Sequence, residues 1–103
     1  MKIFLTGATG YIGGSVAERM LREGHEIAGL VRTEQGAQEI GKRGMRPVLG
    51  TLDDAQGIAR AAREADAVID TAEANHAGVV DAIASALHGS GKPFLHTSGS
   101  GIV

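Results

Sequence analysis

The sequence predicts an α/β fold in which five strands form a doubly wound parallel sheet in the order 3-2-1-4-5, with four helices packed on it. Short apolar runs alternate with stretches of helical periodicity, the pattern of repeated βα units. A glycine-rich segment directly follows the first apolar run. Right-handed crossovers then put the first two helices on one face of the sheet and the next two on the other.

Strands are predicted where apolar runs are bounded by glycine, proline or polar residues. They span Lys2–Thr6, Ile27–Val31, Pro47–Leu49, Ala65–Asp70 and Pro93–Thr97. Helices are predicted where apolar residues recur every three or four positions. They span Tyr11–Glu23, Glu34–Lys42, Asp54–Glu64 and His76–His88. Gly24 suits the position after a helix end, and Asp53 or Asp54 suits a helix N-cap.

The composition favours a single globular domain and argues against several kinds of partner. Ten basic and twelve acidic side chains give a net charge of −2, unlike a nucleic-acid binder. The chain has no cysteine, and its four histidines show no metal-ligand spacing, so no metal site is predicted. No apolar stretch approaches the roughly 20 residues that span a bilayer. We expect a cytoplasmic protein with no membrane partner.

The segment after the first strand carries the chemistry. Gly7, Gly10 and Gly13 follow that strand and open an amphipathic helix, the context of a dinucleotide-binding loop. Glycines let backbone N–H groups approach a pyrophosphate, and the helix N-terminus adds unsatisfied donors and positive dipole. The alternative is that these glycines only make a tight turn between strand and helix. That alternative explains Gly13 but not the whole run.

Four segments together resemble extended or atypical short-chain dehydrogenases/reductases, the group that includes NAD(P)-dependent epimerase/dehydratase and NmrA-like proteins. These segments are 6–13, 50–53, 67–72 and 94–100. The resemblance covers residues 1–103 as the Rossmann-type cofactor-binding half of such a protein, without its substrate-binding portion. Two positions depart from the family pattern, because Thr51 replaces the usual Asp and Glu73 stands where a small residue is common.

The resemblance implies which residues contact the dinucleotide. In the glycine loop they are Gly7, Thr9, Gly10, Tyr11, Ile12 and Gly13. Thr51 and Leu52 fall in the loop that contacts adenine, and Thr71 and Ala72 in the turn beside a ribose.

Arg32 predicts the choice of cofactor. It follows the second strand, about nineteen residues after Gly13, where an NAD enzyme is expected to carry an acidic residue for the ribose 2′-hydroxyl. A guanidinium pairs with a 2′-phosphate, so NADP is favoured and NAD is the second choice. The alternative is a solvated arginine at a strand end, and the nearby Glu34 weakens the prediction.

Catalytic residues are only partly represented. The resemblance implies a substrate-binding hydroxyl near Gly99, for which Ser98 and Ser100 are the candidates, although either could simply serve a loop hydrogen bond. The family's Tyr-x-x-x-Lys proton relay is absent, since the only tyrosine is Tyr11.

These observations predict an NADP(H)-binding domain of an oxidoreductase whose complete form transfers hydride at a carbonyl or carbinol carbon of a small molecule. The alternative is an NmrA-like sensor that binds NAD(P) without catalysis. Because the chain stops just after the fifth strand, we also expect an open sheet edge through which copies self-associate.

Overall fold

The computed structural model describes residues 1–7, 11–50, 54–71 and 77–96, excluding the side chains of Tyr11, Ile12, 77–80 and His96. Strands and helices alternate as β1, α1, β2, α2, β3, α3, β4, α4 and β5. The strands are Lys2–Thr6, Glu26–Val31, Arg46–Leu49, Ala67–Asp70 and Phe94–His96. The helices are Tyr11–Arg22, Glu34–Lys42, Ala55–Glu64 and Ala77–Leu87.

The five strands form one parallel sheet in the order β3-β2-β1-β4-β5, which confirms the predicted fold class and strand order. Central β1 pairs with both β2 and β4, with Leu5 level with Gly29 on one side and Ile69 on the other. The order of the strands therefore reverses between β1 and β4, where a crevice opens at the carboxyl ends of an open α/β sheet.

Successive side chains of the central strands point to opposite faces of the sheet and pack into two separate hydrophobic cores. Ile3 and Leu5 of β1 pack with buried Ala17 of α1 and Ile40 of α2 on one face. Phe4 of β1 faces the other way. On that face it packs among side chains of α3 and α4, which include Ile58, Ala62, Ile83 and Leu87. The helices are thus divided two and two between the faces, as the right-handed crossovers predict.

Side-chain caps fix where two of the helices begin. Thr33 accepts a hydrogen bond from the Gly36 N–H at 3.0 Å and starts α2, and Asp54 accepts from the Gly57 N–H at 3.0 Å and starts α3. The prediction that Asp54 caps a helix is confirmed, while Asp53 lies outside the described residues. Each cap satisfies an amide that has no partner within its own helix.

The predicted start of the fourth strand at Ala65 is two residues too early. The Ala65 N–H still bonds to the Ala61 carbonyl at 3.2 Å, so this residue is the C-cap of α3. The Asp66 N–H then donates a hydrogen bond of 2.7 Å to the Lys2 carbonyl of β1, and β4 begins at the next residue. None of the helices in the described ranges is long and apolar enough to cross a membrane.

Candidate dinucleotide-binding site

The candidate site lies where three neighbouring strands end. Gly7 follows β1, Arg32 follows β2 and Thr71 follows β4, and these strands are adjacent and parallel. The carboxyl ends of parallel strands lie at the same edge of a sheet. The topology therefore brings the glycine loop, the predicted 2′-phosphate ligand and the predicted ribose turn to one edge.

Positions 7 and 13 both require glycine, because neighbouring atoms lie too close to leave room for a Cβ. Gly7 has φ +74°, a left-handed conformation that residues with a side chain rarely adopt. A Cβ on Gly7 would lie 2.5 Å from Thr71 Oγ1, and a Cβ on Gly13 would overlap the Gly7 carbonyl oxygen. Gly13, in the first turn of α1, is therefore packed against Gly7 at the start of the loop.

Thr71 contacts the same part of the loop through its hydroxyl. This hydroxyl donates a hydrogen bond of 2.6 Å to the Thr6 carbonyl and also lies 3.5 Å from the Gly7 carbonyl. The backbone N–H of Thr71 donates to the Thr6 carbonyl as well, at 3.2 Å. Two donors from one residue thus hold the point at which the chain leaves β1.

A buried polar pair lies beneath the loop. The hydroxyl of Thr6 donates to the Asp70 carboxylate, and the two residues are only 0% and 2% exposed. They stand level with each other in the β1–β4 pairing. This pair was not predicted from the sequence, although a polar residue at the end of each of two apolar strands is a signal that could have indicated it. A buried carboxylate needs such hydrogen-bond partners, because burial without them is costly.

Arg32 is exposed at the end of β2, immediately before the Thr33 cap of α2. The N-terminus of a helix attracts anions, and here it stands beside a cationic side chain. Glu34, also exposed, occupies the first turn of α2 and opposes that attraction. An exposed arginine next to a helix N-terminus is chemically suited to a phosphate group.

The predicted site residues differ in how much of them the structure describes. Tyr11 and Ile12 form the first turn of α1 by their backbone, which is where a loop-to-helix motif requires them. The others fall outside the described residues: they are Thr9, Gly10, Thr51, Leu52, Ala72, Ser98 and Ser100. Within the described ranges, no three His, Asp or Glu side chains come together as a metal site would require.

Gly7, Gly13 and the start of α1 are the described parts of the site that suit a pyrophosphate. Side chains at positions 7 and 13 would collide with neighbouring atoms, and the twelve-residue helix α1 begins at Tyr11. Close backbone approach at glycines and a helix N-terminus are the two elements with which α/β folds hold dinucleotide phosphates. Fold and site together define a dinucleotide-binding α/β domain.

Comparison with known families agrees with this class. A family model described as NAD(P)H-binding matches residues 7–101, nearly the whole chain. The chain belongs to this family of NAD(P)H-binding proteins.

Three curated relatives illustrate the family. An uncharacterised protein of Schizosaccharomyces pombe is 36% identical over 95% of this chain and 37% of its own length. The oxidase ucsJ of an Acremonium species is 42% identical over 97% of this chain and 31% of its own length. A farnesyl-dihydroquinoline-oxide ketoreductase of Stigmatella aurantiaca is 30% identical over 80% of this chain and 25% of its own length. The chain thus spans roughly a third of the length of these relatives.

A solved neighbour shares the architecture. The apo structure of AtPrR2 superimposes with a TM-score of 0.73 at 25% identity, covering 93% of this chain and 37% of that one. The structure of AtPrR2 with NADP+ and (+)pinoresinol gives a TM-score of 0.69 at 24% identity, covering 90% and 35%. At this level of identity the second match supports the fold alone.

Proposed function

We propose that this chain is the NADP(H)-binding part of a short-chain dehydrogenase/reductase-like oxidoreductase that transfers hydride at a carbonyl or carbinol carbon of a small molecule. The observation that carries the proposal is the placement of Arg32 at the same sheet edge as the glycine loop. The matching family model is described as NAD(P)H-binding, and two relatives are named as an oxidase and a ketoreductase.

Arg32 is the residue on which the choice of NADP over NAD depends. Its guanidinium offers planar paired donors that match a phosphate, whereas a 2′-hydroxyl gives it much less to bind. Exposure leaves those donors free to meet a ligand, and the Thr33-capped start of α2 adds positive potential beside them. Glu34 counteracts part of this potential.

The resemblance to short-chain dehydrogenases/reductases indicates which residues would bind the cofactor and which would bind the substrate. Residues 1–103 supply the cofactor site, with Thr9, Gly10, Thr51, Leu52 and Ala72 among the proposed contacts. Ser98 or Ser100 would bind the substrate oxygen, and the proton relay and most of the substrate pocket would come from other residues of a longer chain. When bound, the reduced dinucleotide would supply hydride to a carbonyl carbon, and the oxidised dinucleotide would accept it from a carbinol carbon.

Titration with NADPH and NADH tests the proposal. In the wild-type chain we expect NADPH to bind more tightly than NADH. Arg32→Ala should weaken NADPH by about tenfold or more, since a charge-assisted hydrogen bond contributes about 1.5–3 kcal/mol, and should leave NADH nearly unchanged. Glu34→Gln should tighten NADPH, because it removes the opposing charge.

Arg19→Ala is the matched control, because Arg19 is an exposed arginine near the end of α1. Equal loss of both cofactors in the Arg32 variant would refute the 2′-phosphate assignment, and no binding of either cofactor by the wild type would refute the proposed function. If a longer chain containing residues 1–103 bound NADPH but turned over no carbonyl substrate, the NmrA-like sensor would replace the oxidoreductase.

We also propose that copies of this chain associate through β5. Within the described ranges β5 pairs only with β4, and Leu95 on it is 59% exposed. At the opposite edge, β3 carries Arg46 and Pro47, and charges and prolines discourage strand addition. The β5 edge is therefore the better surface for a second copy.

A further inference from the structure

The Thr71 hydroxyl is hydrogen-bonded to the strand that leads into the glycine loop. Its hydroxyl is turned toward β1, where it donates to the Thr6 carbonyl at 2.6 Å and lies 3.5 Å from the Gly7 carbonyl. A hydroxyl has a single proton to donate, and this bond uses that proton within the protein.

The bond is not needed to hold the sheet together. The Thr6 carbonyl already accepts the Thr71 backbone N–H at 3.2 Å, and the Thr6 hydroxyl is taken by Asp70. If the Thr71 hydroxyl were removed, the buried Thr6 carbonyl would still have a partner, so the large cost of an unpaired buried group would not arise. What the hydroxyl adds is a fixed position for the residue that follows Thr6.

Both described glycines of the loop are packed against this hydroxyl. A Cβ on Gly7 would lie 2.5 Å from Thr71 Oγ1, and a Cβ on Gly13 would lie 2.8 Å from it. The oxygen thus lies beside the direct contact between Gly7 and Gly13 and packs against both residues. A group in that position restricts how the two can move relative to each other.

We propose that Thr71 is a positioning residue for pyrophosphate binding: its hydroxyl holds Gly7 and Gly13 at the separation that the phosphates require. This inference rests on the proposed function and deepens it. Asp70 supports the arrangement by binding the Thr6 hydroxyl, while Thr71 binds the Thr6 carbonyl.

The test uses two substitutions that separate the hydroxyl from the shape of the side chain. Thr71→Val keeps the shape and removes the donor, whereas Thr71→Ser keeps the donor. The probes are NADPH, inorganic pyrophosphate, and adenosine 2′-monophosphate, which has the 2′-phosphate but no pyrophosphate. Ser85→Ala, at an exposed hydroxyl on α4, is the control.

Thr71→Val should weaken NADPH and pyrophosphate by about three- to tenfold, the range that corresponds to one net hydrogen bond, and leave adenosine 2′-monophosphate unchanged. Thr71→Ser should restore binding. The inference is overturned if the valine variant binds NADPH as the wild type does, if all three ligands weaken together, or if serine fails to rescue. A wild-type chain that binds neither NADPH nor pyrophosphate overturns the proposed function and this inference together.

Discussion

Gly13 lies so close to Gly7 that a Cβ at position 13 would overlap the Gly7 carbonyl oxygen and lie 2.7 Å from its carbonyl carbon. The obstructing atoms belong to the backbone and cannot rotate away as the end of a side chain could. The third glycine of the loop is therefore required by packing between the start of the loop and α1, independently of any ligand.

Gly13→Ala should accordingly destabilise the protein. Overpacking of a tight contact costs about 1–3 kcal/mol, and relief by backbone movement would also displace the loop. We expect a lower midpoint of urea denaturation and weaker binding of NADPH by the remaining folded protein. Unchanged stability together with unchanged NADPH affinity would show that the contact is not tight in solution.

Gly41→Ala is the matched substitution for this experiment. Gly41 is in α2, and a Cβ there would meet nothing within 4 Å. Alanine is favoured over glycine in helices by about 0.5–1 kcal/mol, so this variant should raise the denaturation midpoint or leave it unchanged. A loss of stability comparable to that of the Gly13 variant would mean that any added methyl group is harmful, and the specific explanation would fail.

Asp54 should contribute to stability as the N-cap of α3. Asp54→Ala removes the acceptor of the 3.0 Å bond from the Gly57 N–H and should lower the free energy of unfolding by about 1 kcal/mol. Asp54→Asn should retain most of the stability, because asparagine caps equally well. Chemical denaturation of the three proteins measures both effects.

Asp81→Ala provides the comparison for Asp54, since Asp81 is exposed within α4 and caps neither end. Its effect should stay within about 0.5 kcal/mol, as for most surface substitutions. A loss in Asp54→Asn as large as in Asp54→Ala would argue against the cap, because only the charge, and not the acceptor, would then matter.

Leu95 should control self-association. We expect the wild-type chain to sediment as a dimer or larger species, and Leu95→Lys to shift it toward the monomer, because a charge on an exposed strand opposes edge-to-edge pairing. Leu49→Lys is the control: Leu49 is 57% exposed on β3 at the other edge of the sheet, and this variant should sediment like the wild type. A monomeric wild type, or equal effects of the two variants, would contradict association through β5.

Most of the fold could be predicted from the sequence, because each element carries its own periodic signal. The bounds of β1 and α2 are as predicted, and the strand order follows from the handedness of βα crossovers. The errors in the predicted secondary structure are confined to the ends of helices and strands, because local hydrogen bonds decide where each element stops. Ala65 was predicted as strand because it precedes an apolar run, but its N–H remains bonded to the last turn of α3.

The candidate site was predictable only in outline. Gly7, Gly13 and Arg32 were identified because motif spacing relative to a strand is a property of the chain itself. The pairing of Thr6 with Asp70 was not, because 64 residues separate them and only the alignment of β1 beside β4 makes them neighbours. The direction of the Thr71 hydroxyl was not predicted either, because it depends on the rotamer and on packing, which the sequence does not give.

The sequence by itself determined the class of fold, the strand order and the position of the glycine-rich segment after the first strand, since these depend on local periodicity, chirality and residue order. Only the tertiary structure decided which groups hold that loop: a buried carboxylate under Thr6, a threonine hydroxyl against Gly7, and a helix start pressed against the loop. The physical reason is that hydrogen bonds and steric contacts act over a few ångströms in space, and separation along the chain does not limit them.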